Sequence, residues 1–365
     1  MKFSCERSVL LKEIGIAQEI IASKNAISIL SNIYLEAVND TLIIKATDIK
    51  VNFETKVPVT VVESGATTVF CDKFLGILSS IPEGELEFEH VDMKVIIKPT
   101  TKKVKFQLRS IASDNFPMFP TPNEEKFFSM PIKDFKEMIH QTVFAVSDDE
   151  SRYYMTGVLF EKTDSKVNMV ATDGRRLAFI NKDINNEVPD FFGVIVPPKI
   201  LTIITKRAGD EGLISILVTD KTIFVRFGSY ELSSVLIEGQ FPNYHRVIPE
   251  NHEYYFTLNR IETLDALKRV SLFVEKSHRI YLSLTPGVLA IASEESELGI
   301  ANEEIPCRYD GEPILIAMNY RYMEEPFKVM SDNDISIYFT DTSKAITIKP
   351  EPASDFLHVV MPMQS

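Results

Sequence analysis

The chain has 365 residues, of which 45% are apolar and 25% charged, with only 14 glycines. That supply of apolar side chains excludes wholesale disorder, and the length points to two or three cores instead of one. A net charge of −13 weighs against a protein that grips nucleic acid by adhesion, because phosphate contact rewards a basic surface.

In chain order, residues 1–7 lack the apolar stretch of a secretory leader. Phe3-Ser4 opens a short strand before a helix over 8–21. The run Leu42-Ile43-Ile44 ends in Ala46-Thr47-Asp48, and Val51, Phe53, Thr55 and Val57 alternate as one face of a strand. A second helix is expected over 73–81. Val104, Phe106 and Leu108 share another strand face, followed by Phe116-Pro117.

Phe128-Ser129 then leads into a helix over 131–143, with Pro131 in its first turn. A run over 167–170 ends in Ala171-Thr172-Asp173. The longest apolar stretch, 191–204, is broken by Pro197, Pro198 and Lys199, so it suits no membrane span and instead contributes a helix over 199–208. Val225 and Phe227 share a strand face, and Phe241-Pro242 follows. Phe256-Thr257 precedes a helix over 259–273, with Asn259 as N-cap and Glu262 completing a capping box. Residues 288–291 end in Ala292-Ser293-Glu294. A last helix over 319–330 contains the helix-breaking Pro326, and Ile335, Ile337 and Phe339 form a final strand face before Met361-Pro362.

These features repeat. Phe3-Ser4, Ala46-Thr47-Asp48 and Phe116-Pro117 each recur 125 residues later, and a third copy follows in the same order at offsets of 120–128. The chain therefore divides into three α+β units, 1–125, 126–249 and 250–365, each mostly antiparallel sheet with two helices. The six helical windows carry +6 between them, leaving −19 for the remainder. Lysine and arginine favour helices in any protein, and the same split suits helices that face DNA behind an acidic exterior.

Catalytic signatures are absent: no phosphate-binding glycine loop, no His-Glu-x-x-His and no Cys-x-x-Cys. Asp148-Asp149-Glu150 reads as a solvated loop, and a hydrolase built on Asp173 would lack partner groups. Cys5, Cys71 and Cys307 suit buried thiols in a reducing cytoplasm. No cofactor, metal or catalytic residue is expected. Thr172-Asp173-Gly174-Arg175-Arg176-Leu177 reads as a tight turn, or as a rim that presents two arginines beside apolar neighbours. The Met-rich stretch 359–365 suits an adaptable binding surface.

Ala171-Thr172-Asp173-Gly174-Arg175-Arg176-Leu177-Ala178, Arg152-Tyr153-Tyr154, Gly239-Gln240-Phe241-Pro242-Asn243-Tyr244 and Val360-Met361-Pro362-Met363 together resemble the bacterial β sliding clamp family, along the whole chain and in family order. The opening Met1-Lys2-Phe3 and Gly65-Ala66-Thr67-Thr68 are similar too. The resemblance implies a DNA clamp fold of three tandem repeats, helices on the inner face and sheets on the outer. It implies a head-to-tail homodimeric ring that encircles duplex DNA without reading its sequence. Such a ring confers processivity on the replicative polymerase by tethering it, and docks the clamp loader and other replication and repair proteins.

The partner-peptide cleft implied for this sequence uses Met155, Thr172, Gly174, Arg175, Arg176 and Leu177. Opposite lie Pro242, Arg246, Val247, Tyr322, Ser343, Val359, Met361, Pro362 and Met363. DNA contact falls to Lys24, Arg152, Tyr153, Tyr154 and Lys199, and the subunit interface to Phe106, Leu272 and Phe273. Arg175 stands where the family often has histidine, Asp72 beside Lys73 where it often has two bases, and Gln364-Ser365 in place of a more basic ending. The competing expectation is a non-replicative, β-rich interaction scaffold.

Overall fold

A short strand feeding an amphipathic helix occurs three times in the computed structural model, which describes residues 1–21, 28–184, 188–297 and 299–364. The α-helices among them are α1 (Arg7–Ile20), α2 (Cys71–Ser80), α3 (Ile132–Thr142), α4 (Pro198–Arg207), α5 (Arg260–Val270) and α6 (Tyr320–Val329). The strands Lys2–Glu6, Phe128–Pro131 and Tyr254–Asn259 run directly into α1, α3 and α5.

All six expected helices form, with ends displaced by a residue or more. Pro131 closes the strand before α3 instead of opening the helix; lacking an N–H, it can end a ladder without stranding a donor. Asn259 caps α5, its Oδ1 accepting from Glu262 N at 3.1 Å, and Ser271–Phe273 continue as a 3-10 turn. Asn319 caps α6, which runs through Pro326 to Val329. Val104 departs from expectation. It lies outside the strand Phe106–Ile111 and is 38% exposed, while Phe106 and Leu108 are half-buried.

The repeat is visible in hydrogen bonds. In the first copy Thr47 Oγ1 accepts from Ile49 N, and Asp48 Oδ1 accepts from Lys50 N and Val51 N. In the second, Thr172 Oγ1 accepts from Gly174 N, and Asp173 Oδ1 from Arg175 N and Arg176 N. The pivot residue of each turn is left-handed, Ile49 at φ 77° and Gly174 at φ 87°.

The described structure groups into two compact units, residues 1–132 with 202–236, and 133–201 with 237–365. The first holds a 13-stranded antiparallel sheet in which Tyr230–Ser234 pair with Val51–Thr55. The second holds an eight-stranded and a four-stranded sheet, and in the former Arg176–Ile180 pair with Phe356–Val360. The middle repeat is divided between the units because its strands extend a neighbouring repeat's sheet on either side. With the observed helix boundaries the helical charge is +4, not +6, since Asp72 falls in the first turn of α2 and Lys24 lies outside the described residues.

Candidate functional site

Leu177 follows the Asp173-Gly174 turn, and its side chain, 2% exposed, joins Leu159, Val170, Tyr244 and Val359 in one buried cluster of the second unit. Above this floor opens a hollow of about 150 Å³ lined by Met155, Thr172, Gly174, Arg175, Arg176, Leu177, Pro242, Asn243, Tyr244, Val247, Val359 and Met361. Three chain segments and the Glu150–Met155 turn converge there. Strand pairing across Leu177↔Val359 fixes one wall, and Met361 N donates to Arg175 O at 2.9 Å. Val247 and Met361 are 53% and 45% exposed although apolar. The hollow is thus a largely apolar slot with exposed apolar lips, suited to the aliphatic or aromatic side chains of an extended peptide.

Tyr244 was not expected to take part. Its hydroxyl donates to Glu161 Oε1 at 2.5 Å and its ring lies 5.8 Å from that of Phe179, so it anchors the floor. Burial and the neighbouring Glu161 hold the phenol protonated well above its ordinary range. Asn243 joins it at the wall; both belong to the Phe241-Pro242-Asn243-Tyr244 block, the only sequence signal for them.

The two arginines differ. Arg175 is exposed at the rim. Arg176 is a strut: Nε bonds Asp173 Oδ2 at 3.1 Å, Nη2 donates to Phe144 O at 2.7 Å, Nη1 pairs with Glu325, and the guanidinium lies 4.5 Å from the Tyr322 ring. Both arginines line the hollow, and the charge of Arg176 is spent on holding its wall. Beneath it lies His358, 2% exposed and 5.1 Å from the ring of Phe144. Burial, seconded by the charge of Arg176, pushes the imidazole pKa down to about 3.

Five expected cleft residues lie off this hollow. Tyr322 lines an adjoining polar cavity of about 380 Å³ together with Arg175, Arg176, Asp149 and Glu325. Ser343 is turned into its own loop, with Oγ donating to Asp341 Oδ1 at 2.7 Å. Arg246 sits exposed on the Tyr244–Arg246 turn. Pro362 and Met363 run on past the hollow, and Met363 N donates to Ala317 O at 2.8 Å.

Of the residues expected to touch DNA, Lys24 lies outside the described residues. Arg152 donates to Asp149 Oδ2 and to Asp173 O, both at 3.0 Å. Tyr153 is 52% exposed and, with Tyr154, packs close to Gly239. Lys199 falls in the first turn of α4. Leu272 is 79% and Phe273 37% exposed, unusual for such side chains. Among the described residues no cluster of His, Cys, Asp and Glu could hold a metal, and no helix is long and apolar enough to cross a membrane.

Comparison with known proteins gives one answer along the whole chain. Sequence profiles of the DNA polymerase III beta subunit match in succession: its N-terminal domain over residues 1–120, central domain over 129–243 and C-terminal domain over 245–364. A Beta sliding clamp of Treponema pallidum is 45% identical over 370 residues, spanning 100% of both chains. The DNA polymerase III subunit beta of Pseudomonas aeruginosa, solved with griselimycin bound, has a TM-score of 0.94 at 26% identity, covering 100% of each chain. The DNA polymerase sliding clamp of Bacillus subtilis gives 0.94 at 25% identity, covering 100% of this chain and 99% of its own.

Proposed function

The chain belongs to the DNA polymerase III beta subunit family, and from that premise we propose how it works as a sliding clamp: two copies close head to tail around duplex DNA and tether the replicative polymerase to it. The observation that carries this reading is the 45% identity to a Beta sliding clamp across the full length of both chains. The family is a processivity factor and not a catalyst.

Three clamp domains, 1–125, 126–249 and 250–365, would give a dimer six of them. The repeat itself suggests how the ring closes. The last strand of the second repeat pairs with the strand after the first repeat's Thr-Asp turn, and the last strand of the third repeat does the same with the second. Continuing the rule, the last strand of the first repeat, Phe106–Ile111, would pair with Asn302–Pro306 of another copy. Among the described residues both edges are open: Phe106–Arg109 pair only with 94–97, and Asn302–Pro306 only with 288–292. An open edge is a template for pairing. Phe106 follows its repeat's first phenylalanine through the same strand pairings as Leu232 and His358. The register of Asn52↔Ser233 and Leu177↔Val359 therefore carries over to put Gln107 against Ala301 and Lys105 against Glu303. Phe106, Leu272 and Phe273 would be covered at that seam. Such an interface is heterologous and ends because the rotation closes.

Enclosure removes the need for tight adhesion, so an acidic protein can hold DNA. Arg152, Tyr153, Tyr154, Lys199 and Lys24 would supply weak, salt-sensitive phosphate contacts that permit sliding. The hollow over Leu177 would take the apolar anchors of partner peptides from the polymerase, the clamp loader and repair proteins in the cytoplasm, with a few buried side chains dominating affinity. Tethering then keeps the polymerase at high effective concentration near the primer end. The test is deletion of residues 361–365. Polymerase and loader binding should be lost while the dimer persists on a sizing column; loss of the dimer instead would show that the segment is structural.

A further inference from the structure

The hollow over Leu177 has a counterpart 125 residues earlier, and its chemistry is inverted. Asn52 occupies the position of Leu177, Lys45 that of Val170 and Phe119 that of Tyr244. Ser233 faces Asn52 across the sheet as Val359 faces Leu177. Around these residues opens a cavity of about 530 Å³, rimmed by the stretch from Phe116 to Pro122. Its floor is polar and internally satisfied: Asn52 Nδ2 donates to Ser233 Oγ at 3.0 Å, and Thr47 Oγ1 donates to Asn52 Oδ1 at 2.6 Å. An aliphatic anchor seated there would strip water from polar groups and gain little apolar contact.

The frame already holds a cation. Lys45 Nζ lies 5.8 Å from the Tyr34 ring centroid, 5.4 Å from that of Phe119 and 3.0 Å from Glu54 Oε2. Aromatic faces backed by a carboxylate are the arrangement that stabilises an ammonium or guanidinium. Beyond Lys45 the cavity is edged by Asp114, Glu124 and Glu231, with Arg226 as the other basic lining residue. Arg226 Nε donates to Glu231 Oε2 and its Nη2 to Glu124 Oε1, both at 2.8 Å. Four acidic side chains against two basic ones still leave the lining with a net charge of −2, and Asp114 stands outside these pairs. Met118, 96% exposed on the rim, offers an apolar neighbour for whatever enters.

We propose that this cavity is a second docking site, taking a lysine- or arginine-bearing linear segment of a partner protein where the hollow over Leu177 takes an apolar one. The inference extends the cleft reading to its repeat equivalent, but the aromatic frame and the acidic edge are its own observations. It gives each clamp subunit two sites of different chemistry, so one partner binding through a cation need not displace another anchored by leucine or phenylalanine.

The test uses the full-length protein and a fluorescein-labelled hexapeptide alternating leucine with lysine, read by anisotropy at about 0.15 M salt, where surface charge is screened beyond roughly 8 Å. Binding should survive deletion of residues 361–365. It should weaken about tenfold in Glu54→Gln combined with Phe119→Ala, a loss in the range of one cation–π frame. Asp114→Asn, an exposed change that cannot unfold the protein, should weaken it several-fold, and Glu211→Gln, outside the cavity, should leave it unchanged. The same hexapeptide with glutamate for lysine should not bind. Equal binding of the glutamate peptide, or affinity untouched by Asp114→Asn and by the double variant, overturns the proposal. So does loss of binding on deleting 361–365, since that puts the peptide in the hollow over Leu177. Failure of the cleft reading shows separately, as polymerase binding that survives the same deletion.

Discussion

His358 is buried against Phe144 and Phe356 below Arg176, where a proton would add a second positive charge with no counter-ion. Its pKa, held to about 3 in the native state, returns to about 6.5 on unfolding. Between those values the unfolded chain binds a proton that the folded chain refuses, so stability falls as the pH drops below 6.5, at up to about 1.4 kcal/mol per pH unit from this group. His358→Gln should flatten the dependence of the urea midpoint on pH between 7 and 5; an unchanged slope would show that other groups dominate. The same neighbourhood separates what the sequence can and cannot tell. Leu177, Pro242, Val359 and Met361 are legible because local blocks name them. Arg176 is not legible as a strut, because Glu325 and Phe144, which hold it, are 149 and 32 residues away. Tyr244 is hidden for the same reason, its partner Glu161 lying 83 residues off.

At the scale of elements, the paired Thr-Asp turns make an internal control. Gly174 turns through φ 87°, and a Cβ there would come within 2.9 Å of Arg152 Nη1, so Gly174→Ala should cost about 1 kcal/mol or more. Ile49 takes the same left-handed path at φ 77° with a β-branched side chain that is 63% exposed and buries little. Ile49→Gly should therefore stabilise the chain by roughly 0.5–1 kcal/mol, read as a higher urea midpoint at unchanged slope. A destabilised Ile49→Gly would mean that contacts of the isoleucine outweigh its strain. Helix positions follow from apolar periodicity and caps such as Asn259, whereas helix ends do not. Pro131 fits a strand end as well as a first turn, and Pro326, a helix breaker by its missing N–H, lies buried inside α6. The cavity around Lys45 and Asn52 is likewise invisible along the chain, since its walls come from residues almost 200 positions apart.

For the molecule as a whole, net charge misleads unless topology is considered. A protein at −13 is a poor ligand for DNA, but a closed ring needs only to avoid repelling the strand inside it. Closure should depend on the seam between Phe106–Ile111 and Asn302–Pro306. Lys105→Glu and Glu303→Lys should each shift the dimer, of about twice 41.4 kDa, towards monomer, and an equimolar mixture of the two variants should recover the dimer by light scattering, because both seams of the mixed pair again join opposite charges. Recovery of nothing would mean that the two residues do not face each other. The most direct measurement of the central claim is retention on DNA of defined topology. Clamp loaded onto a nicked circular plasmid should stay bound through gel filtration and leave within the dead time once a single restriction cut linearises the circle. Clamp that remains equally bound to the cut plasmid with free ends would mean that it adheres to DNA and does not enclose it.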